Sequence, residues 1–296
     1  ELINVDSAQV YRQLDIGSAK PDKATLAAAP HRLIDIRDPA EAYSAADFIA
    51  DASREMAEIS GRGKIPLLVG GTMLYFKALL EGLAEMPAAN AEIRDEIQRQ
   101  ADRDGWAAVH EQLRAVDPKT AAALHPNHSQ RIQRALEVYR VSGVPMSTLR
   151  EKNSRGGIGD SYAIKQISLL PRNRSYIHNR IQQRFDEMMT QGFEQEVRAL
   201  HERGDLNENL PAIRSVGYRQ LWQYLEGQHS LEEAVEKGVV ATRQLAKRQI
   251  TWLRNWPGST EIEIDNGEGL LAADNIYQLS LKKLHSAPIY SGSVNS

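Results

Sequence analysis

Residues 66–82 read PLLVGGTMLYFKALLEG. A short apolar run ends on two glycines, Thr72 follows, and apolar residues then recur at helical spacing until Gly82. The run is too short for a helix and too apolar for a loop, so it predicts a buried strand feeding a helix. Two further runs have the same character: LINV (2–5), which stops on Asp6-Ser7, and RLIDI (32–36). AADFIADASREMAEI (45–59) carries a helical pattern between them and the first run. Strand alternating with helix argues for an α/β protein with a parallel, doubly wound sheet. YAIKQISLL (162–170) predicts one more strand, ended by Pro171.

The alternation is interrupted by a helical block over roughly 92–141, where Ile93 and Ile97, then Ile132, Leu136 and Tyr139, repeat at helical spacing. We read 91–150 as an inserted helical subdomain, 152–160 as loop, and 1–90 with 160–281 as the α/β core and its C-terminal helices. Past Pro171 nearly everything is helical in pattern. Ile177, Ile181, Phe185 and Met188 form one apolar stripe, and Tyr218, Leu221, Trp222 and Leu225 another. Ser230 with Glu233 forms a capping box, which opens a helix able to run about 25 residues to the Trp256-Pro257-Gly258 stop. Residues 282–296 end in a Ser/Gly-rich stretch and are expected to be disordered.

Of 296 residues, 42% are hydrophobic and 25% charged, and none is cysteine. Disulfides, thiolate nucleophiles and Cys-type zinc sites are thereby excluded. No apolar run approaches the ~20 residues of a membrane span, so a cytoplasmic protein without a membrane partner is expected, with a monomer as the default. The net charge of -3 argues against a general nucleic-acid binder. Its distribution argues otherwise: Lys237, Arg243, Lys247, Arg248 and Arg254 fall in a stretch without an acidic residue, and five acidic residues without a basic one follow over 255–281.

Each chemical signal has a plainer reading beside it. Asp6 ends a strand, the edge at which open parallel sheets bind ligands; a carboxylate there can take a proton from a substrate, or it or Ser7 can simply cap the next turn. Gly70-Gly71-Thr72 can let a ligand approach the backbone, or Thr72 can be only a helix cap. GRGK (61–64) is not a phosphate loop, because Lys64 precedes a strand and Ile65 follows it; it reads as a helix-to-strand turn. Arg180 and Arg184 share a helix face and can clamp a diphosphate or lie solvated. Arg131 and Arg134 are spaced similarly. Arg243, Lys247 and Arg254 fall within about 40° on a helical wheel, opposite Leu245 and Trp252. Such a stripe tracks nucleic-acid phosphates or is an ordinary solvated face. His125 and His128 flank a turn with a helix cap at Asn127 or Ser129, not a metal site.

Taken together and in order, NVDSAQVYRQLDIGSAKP, APHRLIDIRDPAEAYSAADF, PLLVGGTMLYFKALLEGL, HPNHSQRIQRALEVYRVSG, RIQQRFDEMMTQGFEQEV, IRSVGYRQLWQYLEG and TRQLAKRQITWLR closely resemble the bacterial tRNA dimethylallyltransferases, also called tRNA isopentenyltransferases. The resemblance extends from Glu1 to Trp256. It implies a P-loop-NTPase-like core and the transfer of a dimethylallyl group from its diphosphate to the exocyclic N6 amine of the adenine 3′ to a tRNA anticodon. Magnesium would be bound mainly through the diphosphate. One departure matters: the family's phosphate loop, of the form GPTASGKT, is expected ahead of the segment that opens here and is not among these residues.

The resemblance also implies roles. Asp6 matches the catalytic general base, and Arg184 matches an arginine implicated in catalysis and diphosphate binding. Asp6 with Ser7, Ala8 and Gln9, and Thr72 and Arg94, match tRNA contacts. So do Gln130, Arg131, Ile132, Gln133 and Arg134; Arg214, Ser215, Val216, Gly217, Tyr218 and Arg219; and Lys247, Arg248, Gln249, Ile250, Thr251, Trp252, Leu253 and Arg254, joined by Arg243 of the basic stripe. The rival readings are an adenylate isopentenyltransferase acting on free nucleotide, a nucleotide kinase, and a non-catalytic RNA-binding protein. A free nucleotide needs neither the helical insertion nor the basic helix, and a mere RNA binder gains nothing from Asp6 and Arg184.

Overall fold

The structure, a computed structural model, describes residues 1–152, 157–267 and 269–286. In chain order the elements are β1 (Leu2–Val5), α1 (Lys23–Ala28), β2 (His31–Arg32), α2 (Ala45–Gly61), β3 (Leu67–Gly70), α3 (Met73–Glu81), α4 (Ala91–Val116), α5 (Pro118–Ala122), α6 (Ser129–Ser142), α7 (Met146–Lys152), β4 (Gln166–Leu170), α8 (Arg174–Thr190), α9 (Phe193–His201), α10 (Tyr218–Leu225), α11 (Leu231–Arg254), β5 (Ser259–Glu263) and α12 (Ala273–Ser286). They divide into two compact units, Glu1–Ala78 with Ser161–Ser296, and Leu79–Asp160. The helices expected over 91–150 lie in the second unit.

All strand pairing is parallel, in a three-stranded sheet ordered β2-β1-β3 and a two-stranded sheet β4-β5. Parallel pairs need crossovers, and α2 supplies the one between β2 and β3. Its start is fixed by the Ser44–Asp47 capping box, an arrangement worth about 1 kcal/mol. Its buried face carries Phe48, Ala52, Met56 and Ile59, and the Phe48 ring stacks on Tyr75 of α3 at 4.6 Å. β1 is the central strand, and Ile3 and Val5 are fully buried. β3 is an edge, with Leu67 and Val69 about half exposed.

Two strand expectations are corrected. RLIDI does not run as a strand: β2 ends at Arg32, and Leu33 and Asp35 turn to φ 64° and 57°. A β-branched or apolar run cannot hold extended pairing across two left-handed residues. Pairing resumes at one bridge, Tyr11 to Arg37. β5, STEIE, was not foreseen; its Glu261 and Glu263 mask a strand whose single fully apolar contact is Ile262. Parallel pairing with β4 is what makes it a strand. The tail is corrected as well. α12 continues to Ser286, so 282–286 are helical, and 287–296 lie outside the described residues, as do 153–156 of the expected loop.

The C-terminal helices of the first unit form a bundle in which α11 packs on α8 and α10. Phe185 sits over Gly238, where a Cβ would come within 2.5 Å of the ring. Phe193 meets Phe185 and Tyr218 edge-on at 6.1 and 5.0 Å. Each buried aromatic of this kind contributes about 2–3 kcal/mol. In the second unit α4, broken at Gly105 (φ 80°), packs on α5 and α6 around Ile97, Val109, Leu113, Ile132 and Leu136. The cap of α6 is neither Asn127 nor Ser129. His128 holds that position without a side-chain hydrogen bond, because its ring accepts from the backbone of His125 instead.

Candidate active site and basic helix

The end of β1 delivers Asp6 to the carboxyl edge of the sheet. Its Oδ1 accepts the N–H groups of Ala8 (2.7 Å) and Gln9 (3.2 Å). The capping geometry and the free carboxylate therefore coexist: one oxygen closes the turn, and Oδ2 has no partner among the described residues. Thr72 pins the neighbouring strand end, accepting Ser7 N–H at 3.0 Å and donating to Ser7 Oγ at 3.3 Å. Its carbonyl accepts the first helical N–H groups of α3.

Gly70 is required by the backbone of the neighbouring strand, and Gly71 leaves room for a side chain of α11. A Cβ on Gly70 would lie 2.1 Å from the Val5 carbonyl oxygen, and one on Gly71 would lie 2.5 Å from Gln249 Nε2. Gln249 donates to Gly71 O at 2.9 Å, so the long helix α11 is tied to the same strand end as Asp6 and Thr72. At these two positions the glycine pair serves the close packing of strand and helix.

Arg184 comes from α8 and is exposed. Its guanidinium is held below its ordinary pKa by desolvation first and by the charge of Arg180 second, while Asp6 pulls it back up. Asp6 and Arg184 thus sense one another without forming an ion pair. Arg214 is also lowered, by desolvation and then by Arg219. Neither Arg180 with Arg184 nor Arg214 with Arg219 makes an ion pair among the described residues, and like charges held close in this way favour an anion beside them.

Many cations earlier in the chain already have carboxylate partners. Arg203, for instance, binds Asp38 and Asp205 at 2.8 Å each. Beyond it, Arg214, Arg219, Lys237, Arg243, Lys247, Arg248 and Arg254 make no ion pair among the described residues. The stripe on α11 is not uniform, however. Arg243 lies on the face of Val239 and Ile250, is half-buried, and its Nε is buried without a partner. Leu245 and Trp252, read as lying opposite the stripe, are 37% and 38% exposed. The packed residues are Ala234, Gly238, Val239 and Ile250. Lys77 sits 5.8 Å from the Trp252 ring centre.

A profile of the IPP transferase family matches residues 9–256. The chain belongs to this family. Among solved structures, this transferase is 34% identical to the tRNA isopentenylpyrophosphate transferase from Bacillus halodurans, with 97% of this chain and 89% of that one covered at a TM-score of 0.64. It is 29% identical to the tRNA isopentenylpyrophosphate transferase from Staphylococcus epidermidis, with 95% and 89% covered at 0.63. A eukaryotic dimethylallyltransferase acting on tRNA shares the fold at 24% identity and a TM-score of 0.71, with 98% and 74% covered.

Within the transferase, several residues matched to tRNA contacts are committed inward. Arg94 donates from Nε and Nη2 to Glu137 at 2.9 and 3.2 Å, and Arg134 donates from Nη1 to the same carboxylate at 2.8 Å. Glu137 is fully buried. Burial alone would raise its pKa, but these two guanidiniums and the Asn90 N–H outweigh burial and hold it low. Gln133 donates to Arg94 O. Ile132, Tyr218 and Ile250 are buried, as is Gly217, and these residues pack within the fold. Gln130, Arg131, Arg214, Lys247, Arg248, Thr251, Trp252 and Arg254 are exposed; Ser215, Val216, Arg219 and Leu253 are partly so. Glu137 and the Glu196 contacts described below were missed in the sequence, where a lone glutamate on a helix carries no signal.

Among the described residues no group of three or more His, Asp or Glu side chains could cage a metal. Magnesium needs only one or two protein carboxylates beside substrate phosphates, so a caged metal site is not required for a diphosphate substrate. No helix among the described residues is long and apolar enough to cross a membrane.

Proposed function

We propose that this transferase moves a dimethylallyl group from dimethylallyl diphosphate to the N6 amine of the adenine 3′ to a tRNA anticodon. The observation that carries the reading is a carboxylate at the end of β1 with one oxygen free, near enough for its charge to act on Arg184, an arginine that makes no ion pair among the described residues. Asp6 Oδ2 orients the amine and accepts the proton it loses as the N6–carbon bond forms. Arg184, with Arg180 one turn away, holds the departing diphosphate as its charge develops. Magnesium, when bound with the diphosphate, neutralises part of that charge.

An adenine stacked in a duplex cannot present its amine to such an edge, whereas anticodon-loop bases splay out and can be turned into a pocket. The unpaired cations of α11 and of residues 214–219 suit the phosphates of that loop and stem. A P-loop-like core belongs to the same reading. The open edge of β3 supports it, because its backbone can pair with a further parallel strand leading to a phosphate loop. A monomeric, cytoplasmic enzyme is proposed with it.

The test uses the full-length protein with labelled dimethylallyl diphosphate, magnesium, and either unmodified tRNA or free AMP. Label in tRNA alone is expected. Label in AMP would select the free-nucleotide reaction, and label in neither would leave Asp6 and Arg184 without this chemistry.

A further inference from the structure

A loop behind the turn that holds Asp6 is anchored from α9. Glu196 Oε2 accepts the N–H groups of Asp15 (3.1 Å) and Ile16 (2.8 Å), and Oε1 accepts that of Gly17 (3.2 Å). Tyr218 donates its hydroxyl to Oε1 at 2.6 Å. Three successive N–H groups converging on one carboxylate form an anion nest, here filled by the protein's own side chain. Burial and the Glu196 charge both raise the Tyr218 pKa, so the phenol stays a donor. The fit is tight as well as polar: a Cβ on Gly17 would lie 2.1 Å from the Phe193 ring and 2.6 Å from Tyr218.

The same loop reaches the site. The carbonyls of Ser18 and Ala19 accept Gln9 Nε2 at 3.1 and 3.2 Å, and Gln9 N–H is one of the two donors on Asp6 Oδ1. A continuous path of hydrogen bonds therefore runs from Glu196 through the 15–19 loop and Gln9 to Asp6. The inward turn of Gln9 also spends its amide on the loop and leaves only its carbonyl oxygen for RNA.

We propose that Glu196 is a positioning residue for prenyl transfer, acting through the 15–19 loop and Gln9 to fix the Asp6 carboxylate. The proposal rests on Asp6 being the proton acceptor. Misplacing a catalytic group by about 1 Å can cost up to 10²-fold, so loosening this path should lower turnover without touching RNA affinity.

The test is a double-mutant cycle in the full-length protein, with turnover measured at saturating tRNA and dimethylallyl diphosphate, tRNA Kd measured separately, and melting followed for every variant. Glu196→Gln is expected to lower turnover about tenfold or more with tRNA Kd unchanged. In an Asp6→Asn background it should lower turnover no further, because the group it positions is gone. Tyr218→Phe, which keeps the carboxylate and removes one donor, should act in the same direction more weakly, and again not in Asp6→Asn. A Glu196→Gln effect that multiplies with Asp6→Asn would overturn the proposal and assign Glu196 a purely structural role. Unchanged turnover in Glu196→Gln would overturn it too. Full activity in Asp6→Asn alone would remove the reading on which the proposal stands.

Discussion

The second unit and the C-terminal bundle treat positive charge in opposite ways. Around Glu137, Arg94 and Arg134 converge on one buried carboxylate, and the charge is consumed inside the fold. Along α11 and residues 214–219, arginines and lysines stand without a single carboxylate partner among the described residues. Both regions hold arginines on helices at similar spacing. What differs is whether an acid lies within reach in three dimensions. Paired charges fix structure, and unpaired ones wait for an anion the chain does not supply.

This contrast can be broken from either side. The largest effect is expected from Asp6→Asn, which replaces Oδ2, an acceptor without a partner among the described residues, and keeps the turn's acceptor Oδ1: turnover should fall about 10²–10⁴-fold, with melting temperature and tRNA Kd unchanged. A matching loss of stability would place Asp6 among the structural charges. Arg184→Ala should lower turnover on the prenyl diphosphate about 10²-fold, again without a stability cost, since no ion pair is broken. An effect confined to tRNA affinity would move Arg184 from the diphosphate to the RNA.

Glu137→Ala probes the opposite class. It strands two guanidiniums and should destabilise the second unit by about 2–3 kcal/mol, less than a wholly buried pair because both arginines retain access to water. The pH dependence has a definite sign. The folded pKa of Glu137 lies below its ordinary value of 4.5. Its contribution is therefore full above that value and is lost as pH falls through the folded pKa. Glu137→Gln should flatten acid unfolding in this window, and an unchanged acid limb would deny Glu137 that role. The smallest effect is reserved for the surface. Lys247→Ala with Arg254→Ala should reduce the salt slope of tRNA binding by about 2, whereas Arg54→Ala, which removes a cation paired with Asp51, should leave it unaltered. Equal slopes for both variants would erase the distinction between the regions.

Much of the fold was legible because its signals are local. The strand ending on Asp6, the turn at GRGK, the capping box at Ser230 and the apolar stripes of α8 and α10 depend on residues near in sequence. β5 was not legible, because a strand bearing four polar residues in five is decided by its partner β4, more than ninety positions away in register (Gln166 to Ser259). RLIDI failed for the converse reason: its composition favours a strand, but the turn at Leu33 and Asp35 prevails.

The same division governs the site. Sequence alone determined that Asp6 ends a strand, that Arg180 and Arg184 share a helix face, and that α11 carries basic residues without acidic ones. Those statements follow from spacing and from the periods of strand and helix. Only the tertiary structure decided which of these charges are free. It showed that Arg94 and Arg134 are spent on Glu137, that Arg243 turns toward the packed face, and that Gln249 closes on Gly71. It also showed that Glu196, some 190 residues from Asp6, braces the loop behind it. Whether a charge is paired depends on distances between residues remote in the chain, and no local pattern encodes them.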